Sequence, residues 1–178
     1  FCNNASPMFI ISFICYSSLG SIKNLVYIIV PIYISAFLCC FIFRVWTKKE
    51  ASIPPPQVEL TDKSLSFKII DQSILGSFES LVKFGGYIIL YSIMEAFVIY
   101  NLPLLNEVKV LIIGLIEITT GISCAAAVNV PRIIVIPFIS SITAFGGLST
   151  ISQTASIINK NRLSLPKYIV AKLVNGVI

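Results

Sequence analysis

Two acidic side chains, Glu95 and Glu117, stand inside otherwise apolar runs. If those runs lie in lipid, each charge costs about 2–3 kcal/mol at a helix centre on insertion scales. Such groups therefore face the bundle interior or a wet cavity, and they commonly mark ion or solute pathways. Glu117 belongs to Gly114-Leu-Ile-Glu117-Ile-Thr119-Thr120-Gly121. Thr119 and Thr120 supply hydroxyls, and Gly121 is a candidate helix breaker that would expose carbonyls, as in the discontinuous helices of transporters. Glu95 has no break signal around it. Further along, Gly146-Gly147 precedes Ser149, Ser152 and Gln153, and Asn3, Asn4, Ser6 and Pro7 open the first apolar run. The candidate solute- or ion-binding set is Glu117, Thr119, Thr120, Gly121, Ser149, Gln153, Asn3 and Ser6, with Gly146 and Gly147 as the hinge. The plainer alternatives are an interhelical hydrogen bond from Glu117, small residues that permit close helix packing, and a capping turn at Asn3–Ser6.

Enzyme signatures are missing. There is no histidine to act as general base, no HExxH, no GxSxG and no P-loop. The five cysteines (Cys2, Cys15, Cys39, Cys40 and Cys124) are odd in number and form no CxxC pair. They read as small apolar packing residues, so neither a metal site nor a cofactor is expected. The net charge of +5 comes from lysines and arginines clustered between apolar runs, where they set topology; nucleic acid is not an expected partner.

These residues need elements to hold them, and composition says what kind. Hydrophobic residues make up 56% of the 178 and charged residues only 12%, with a mean hydropathy of +0.92. A soluble domain carries roughly 25% charged residues, so an all-α polytopic bundle in a bilayer is expected. A hydrocarbon core of about 30 Å takes roughly 20 apolar residues as a helix. Pro7 to Leu19 is a short apolar segment. Leu25 to Val45 is full length and ends on Arg44, Trp46, Lys48 and Lys49, the aromatic and basic anchors of a cytoplasmic exit. Residues 50–66, with Pro54, Pro55 and Pro56, read as a loop. Phe67, Ile70, Ile74, Phe78 and Leu81 then recur at three- and four-residue intervals opposite Lys68, Gln72, Glu79 and Lys83, which predicts an interfacial amphipathic helix. Gly85-Gly86 is expected to separate it from a span over Tyr87 to Tyr100, and a further span is expected over Val108 to Val128.

Between Pro131 and Pro166 the pattern changes. Ile133 to Phe145 is apolar, Gly146-Gly147 interrupts, and Leu148 to Ile158 carries Ser, Thr and Gln. Each half would measure roughly 20 Å, too short to cross alone. If the Lys48–Lys83 loop is cytoplasmic, a hairpin re-entering at Gly146-Gly147 keeps Arg132, Lys160, Arg162 and Lys167 on that side, in line with the positive-inside rule. Non-helical backbone at membrane depth survives only where protein or water covers it. The hairpin, about 131–159, should therefore line a cavity.

Three strings carry a family resemblance. Phe1-Cys2-Asn3-Asn4-Ala5-Ser6-Pro7-Met8-Phe9-Ile10, the Gly114–Gly121 string and Phe145-Gly146-Gly147-Leu148-Ser149-Thr-Ile-Ser-Gln153 resemble, in this order, motifs of the sporulation integral membrane protein YlbJ family. That family sits in a wider group with the nucleoside-recognition or Gate domain, found also in concentrative nucleoside transporters, a ferrous iron transporter and spore maturation proteins. The resemblance implies a two-repeat protein: 1–45 as the end of a first Gate-like repeat, 46–83 as cytoplasmic loop and amphipathic helix, and 84–178 as a second repeat. Starting at Phe1 and stopping at Ile178, the sequence reads as part of a longer chain. Also implied is a multi-pass protein of a bacterial cell membrane, in the mother cell or forespore, that moves or binds a small polar solute or ion during spore formation. The rival expectation is a non-transporting scaffold for sporulation and cortex formation, with the proline loop and residues 67–83 as its working parts. Expected partners are the lipid bilayer, the solute or ion, and a homo-oligomer or another sporulation membrane protein. Glu95 matches no motif of the family.

Overall fold

A computed structural model describes residues 4–46, 67–158 and 164–178, and all regular structure among them is helical. The anchors Trp46 (as a side chain), Lys48 and Lys49, the prolines 54–56, and Lys160 and Arg162 lie outside the described residues or side chains, so the charge argument for topology rests on sequence alone.

The first helix, α1 (Pro7–Ser18), starts as its sequence requires. The Ser6 hydroxyl accepts from the Phe9 amide at 3.1 Å, and Pro7 at the first turn gives up a donor that would have had no partner anyway. From Ile10 to Ser18 the winding is π-type. Gly20, at φ +65°, ends the segment, and a short turn at Ile22–Asn24 leads into α2 (Leu25–Trp46). This helix buries Ile28, Ile32, Ser35, Cys39 and Phe43 along one stripe and leaves Tyr27, Ile34, Phe37 and Phe41 exposed. A wholly apolar helix with half its surface uncovered is what lipid, not water, accommodates.

Helix α3 (Phe67–Asn101) corrects the sequence reading. It is one continuous helix of 35 residues, about 52 Å long at 1.5 Å per residue, and Gly85-Gly86 does not divide it. Neither glycine has a positive φ. Each costs about 1 kcal/mol relative to alanine in a helix interior, which is too little to outweigh the intrahelical hydrogen bonds a break would strand in lipid. The amphipathic stretch is thus the leading half of a longer helix, with Glu79 and Lys83 ion-paired on one face and Phe67, Ile74, Phe78 and Leu81 exposed.

The span expected over 108–128 is instead two helices, α4 (Asn106–Ile116) and α5 (Ile118–Ala127). Glu117 alone stands between them in extended geometry, φ −147° and ψ 131°. The pair folds back on itself: a Cβ built on Gly121 would lie 2.3 Å from the Gly114 Cα. In a continuous helix those two residues would be about 10 Å apart along the axis. Here the break falls at Glu117, not at Gly121. Gly121 sits inside α5, where its missing side chain allows the two backbones to touch.

Helix α6 (Arg132–Phe145) ends at Gly146, and α7 (Gly147–Ile158) starts immediately after it. Left-handed φ values of +90° and +71° at Gly146 and Gly147 turn the chain where a side chain would be strained. The turn falls where the expected hairpin over 131–159 has its tip, but the arms part. Helix α6 packs on α2, α5 and α8 (Leu165–Val177), whereas α7 goes to α3 and α4. The closely packed hairpin is therefore α4–α5, one helix pair earlier. The main core gathers Ile10, Ile14, Cys15, Ile28, Ile32, Ile122 and Ile139 from α1, α2, α5 and α6.

Candidate functional site

Four helix ends meet at Gly146-Gly147. The C-terminus of α4 and the N-terminus of α5 flank Glu117, and the C-terminus of α6 and the N-terminus of α7 flank the glycines. A Cβ on Gly147 would stand 3.2 Å from the Ile116 carbonyl oxygen and 3.4 Å from the Glu117 Cα. Glycine is therefore required there twice over, by the positive φ and by the contact.

Glu117 caps α5 with its own side chain. Its Oε2 accepts from the Thr120 amide at 2.9 Å and from the Thr119 hydroxyl. One of the first backbone donors of α5, the Thr120 amide, which has no intrahelical acceptor, is served in this way. A carboxylate also suits the positive end of a helix dipole. The Oε1 atom makes no hydrogen bond to a described residue, so one oxygen stays available. Glu117, Thr119 and Thr120 are all half-buried.

Glu95 reaches the same place from α3. It is 4% exposed, the Thr120 side chain hydrogen-bonds it, and Glu117 is near enough for the two charges to repel. Its Oε1 is buried with no hydrogen-bond partner. One turn earlier, the Tyr91 hydroxyl meets Ser152 on α7, tying α3 to the second glycine-flanked helix.

The other predicted residues divide into groups. On α7, Gln153 donates to the Ser149 hydroxyl at 3.1 Å, so these two pair along their own helix beside the α7 N-terminus. Ser6 is the cap of α1 and makes no hydrogen bond to the Glu117 group, and Asn3 lies outside the described residues. Its neighbour Asn4 accepts from Asn175 of α8 at 3.4 Å. Sequence reasoning missed this second polar group. The Lys172 ammonium, 2% exposed, and the Asn175 amide both donate to the Ala144 carbonyl, at 3.0 Å and 3.1 Å. They satisfy an acceptor at the C-terminus of α6, where a cation also suits the dipole. Tyr168, Ala171, Lys172 and Asn175 are the buried face of α8, and their three- and four-residue spacing was the signal available in the sequence. Gly146 lies on this side: its Cβ would stand 3.8 Å from the Lys172 Cε. Beside Asn175, a cavity of about 300 Å³ opens between Pro31 of α2 and Pro137 of α6. The glycine pair thus has a carboxylate group on one side and an amide–ammonium group on the other.

Among the described residues no group of three or more His, Cys, Asp or Glu could hold a metal ion. Among the described residues Cys15, Cys39, Cys40 and Cys124 form no disulfide, and Cys15 and Cys39 are buried in the helix-packing core.

Three helical stretches, Ile22–Arg44, Phe67–Asn101 and Arg132–Ser156, are long and apolar enough to cross a membrane, the last being interrupted by the glycine turn. With charged groups gathered inside and broad apolar faces outside, fold and site define an all-α integral membrane protein. The chain is similar to the sporulation integral membrane protein YlbJ of Bacillus subtilis, 24% identical over an aligned 158 residues. The match covers 73% of this chain and 38% of that protein, so the chain spans well under half the relative's length. The family resemblance carried by the three strings is thereby borne out. No family model matches the chain, and no solved structure gives a significant match.

Proposed function

We propose that the chain is part of a multi-pass, transporter-like protein of the Gate type, in a cell membrane of a sporulating bacterium. It would move or bind a small polar solute or ion and perform no covalent chemistry. The observation that carries this reading is the meeting of four helix ends at one point inside the bundle, between an acidic group and an amide–ammonium group. Helix ends present unpaired amides and carbonyls, which lipid does not tolerate unless protein, water or a solute covers them. Broken helices near the midplane are how many transporters build a site while keeping a spanning fold.

In this reading Glu117 offers its remaining oxygen to the solute, and Thr119 and Thr120 hold the carboxylate in place. Gln153 and Ser149 line the path at the start of α7, and Gly146-Gly147 lets α7 swing relative to α6. The complete protein in proteoliposomes, tested for uptake of a panel of small polar solutes, decides it. Loss of a hydrogen bond to a charged group is worth about 1.5–3 kcal/mol, so Glu117→Gln should cut uptake of the carried solute at least tenfold. Gln153→Ala should weaken it less. Uptake indifferent to both substitutions would refute the site. The scaffold reading draws on the exposed apolar stripe of α3 over Phe67–Leu81; it would gain from a stoichiometric cross-linked partner that is lost when 54–83 is deleted.

A further inference from the structure

We propose that Glu95 and Glu117, bridged by Thr120, form a two-carboxylate site for one monovalent cation, H⁺ or Na⁺. The inference deepens the transport reading, because it rests on Glu117 facing a solute path and adds a coupling ion at the same place.

Thr120 joins the two acids by different atoms. Its backbone amide donates to Glu117 Oε2, and its side chain hydrogen-bonds Glu95. Threonine is thus a fixed spacer between carboxylates carried by separate helices, α3 and the α4–α5 break. The second observation is the orphan Glu95 Oε1, buried and without a partner in a residue 4% exposed. A bare carboxylate oxygen removed from water is among the costliest groups to leave unpaired, and a neighbouring second carboxylate raises that cost. Neither acid is ion-paired among the described residues: the ion pair seen there joins Glu79 and Lys83.

The groups packed around the pair do not supply the missing charge. Cys124 of α5 lies within electrostatic range of Glu95 as a free thiol. Tyr91 of α3 is engaged with Ser152 of α7. Lys109 of α4 donates to the Ile99 carbonyl at 2.9 Å, one turn beyond Glu95 on α3. A positive charge from solution is the remaining means of neutralisation. A proton shared between the carboxyls satisfies Oε1 directly. Alternatively, Na⁺ takes Glu95 Oε1, Glu117 Oε1 and the threonine oxygens as hard ligands. Calcium, with 6–8 oxygen ligands, and magnesium, with its near-ideal octahedron, ask for more than two carboxylates and two hydroxyls offer.

The test uses the complete protein in lipid nanodiscs, without added solute, read by infrared spectroscopy of the carboxylic-acid stretch. The two sources separate by titration: pH at constant choline chloride for H⁺, and NaCl against choline chloride at fixed pH for Na⁺. The wild type should give a saturable buried-carboxyl change in one series. Glu95→Gln and Glu117→Gln should each remove it. Losing the bridging hydroxyl removes a hydrogen bond to a charged group, so Thr120→Val should move the midpoint roughly tenfold in cation concentration. That variant keeps shape and charge, and so also serves if a glutamine variant does not assemble. A wild type silent in both series, or a signal unchanged by Glu95→Gln or by Thr120→Val, overturns the proposal. The two readings fail separately. A cation signal lost in Glu95→Gln with uptake indifferent to Glu117→Gln leaves the ion site without transport. Uptake that depends on Glu117, with a signal untouched by Glu95→Gln, removes the pair and keeps the solute site.

Discussion

At Glu117 the chain leaves helical geometry for a single residue, and the same side chain repairs the damage by capping the helix that follows. Acid, hydroxyls and glycine were all legible in the string Gly114–Gly121. The position of the break was not, because glutamate has no local preference for it: the extended conformation is fixed by the fold-back of α5 on α4. Gly121, read as the breaker, turns out to be the point of closest approach. A side chain there would meet the Gly114 backbone at 2.3 Å, and backbone cannot move aside as a flexible side-chain tip would. Gly121→Ala is therefore expected to destabilise by about 3 kcal/mol, at the upper end of overpacking penalties, read as a lowered thermal midpoint in detergent. Gly76→Ala, with nothing within 4 Å of the new Cβ, should stabilise by up to about 1 kcal/mol. Equal effects from the two would remove the close approach from the account.

At the scale of elements, apolar length located α2 to within a residue or two. The spacing of Phe67, Ile70, Ile74, Phe78 and Leu81 marked a helix at the start of α3, but that stripe is exposed and the buried residues of α3 are Glu95 and Val98. Where they failed, glycine was given too much weight. Gly85-Gly86 and Gly146-Gly147 look alike as dipeptides, yet the first is helical and the second turns the chain at φ +90° and +71°. Around Gly85-Gly86 there is open space, so nothing demands a turn and the helix runs through. At Gly147 the packed Ile116 carbonyl demands a backbone without Cβ. The double substitution Gly85→Ala/Gly86→Ala should raise stability by about 1–2 kcal/mol in thermal unfolding, since each glycine costs about 1 kcal/mol within a helix. A loss of stability would indicate a turn between an in-plane helix and a separate span.

For the whole molecule, the outward faces of α2 and of the second half of α3, from Ile88 to Phe97, are predominantly apolar. Phe37 is 65% exposed and Ile89 63%, far from the pattern of a water-soluble surface. Spin labels at these two positions in reconstituted protein should relax more with oxygen, which concentrates in acyl chains, than with a water-soluble nickel complex. The reverse order at both would show that these faces meet water.

Amino-acid order by itself determined that this chain belongs in lipid, that its apolar runs are helical, and that a few polar residues inside them need an explanation. Those properties follow from short-range physics: transfer energies and the 3.6-residue period depend on a residue and its close neighbours. Only the tertiary structure decided that Glu95 stands beside Glu117, that Lys172 and Asn175 close the end of α6, and that α4–α5 is the packed hairpin. Each of these joins residues from separate helices or depends on a fold-back of two backbones. Such pairings are set by which apolar faces fit together, and no local pattern in one helix records the partner chosen by another.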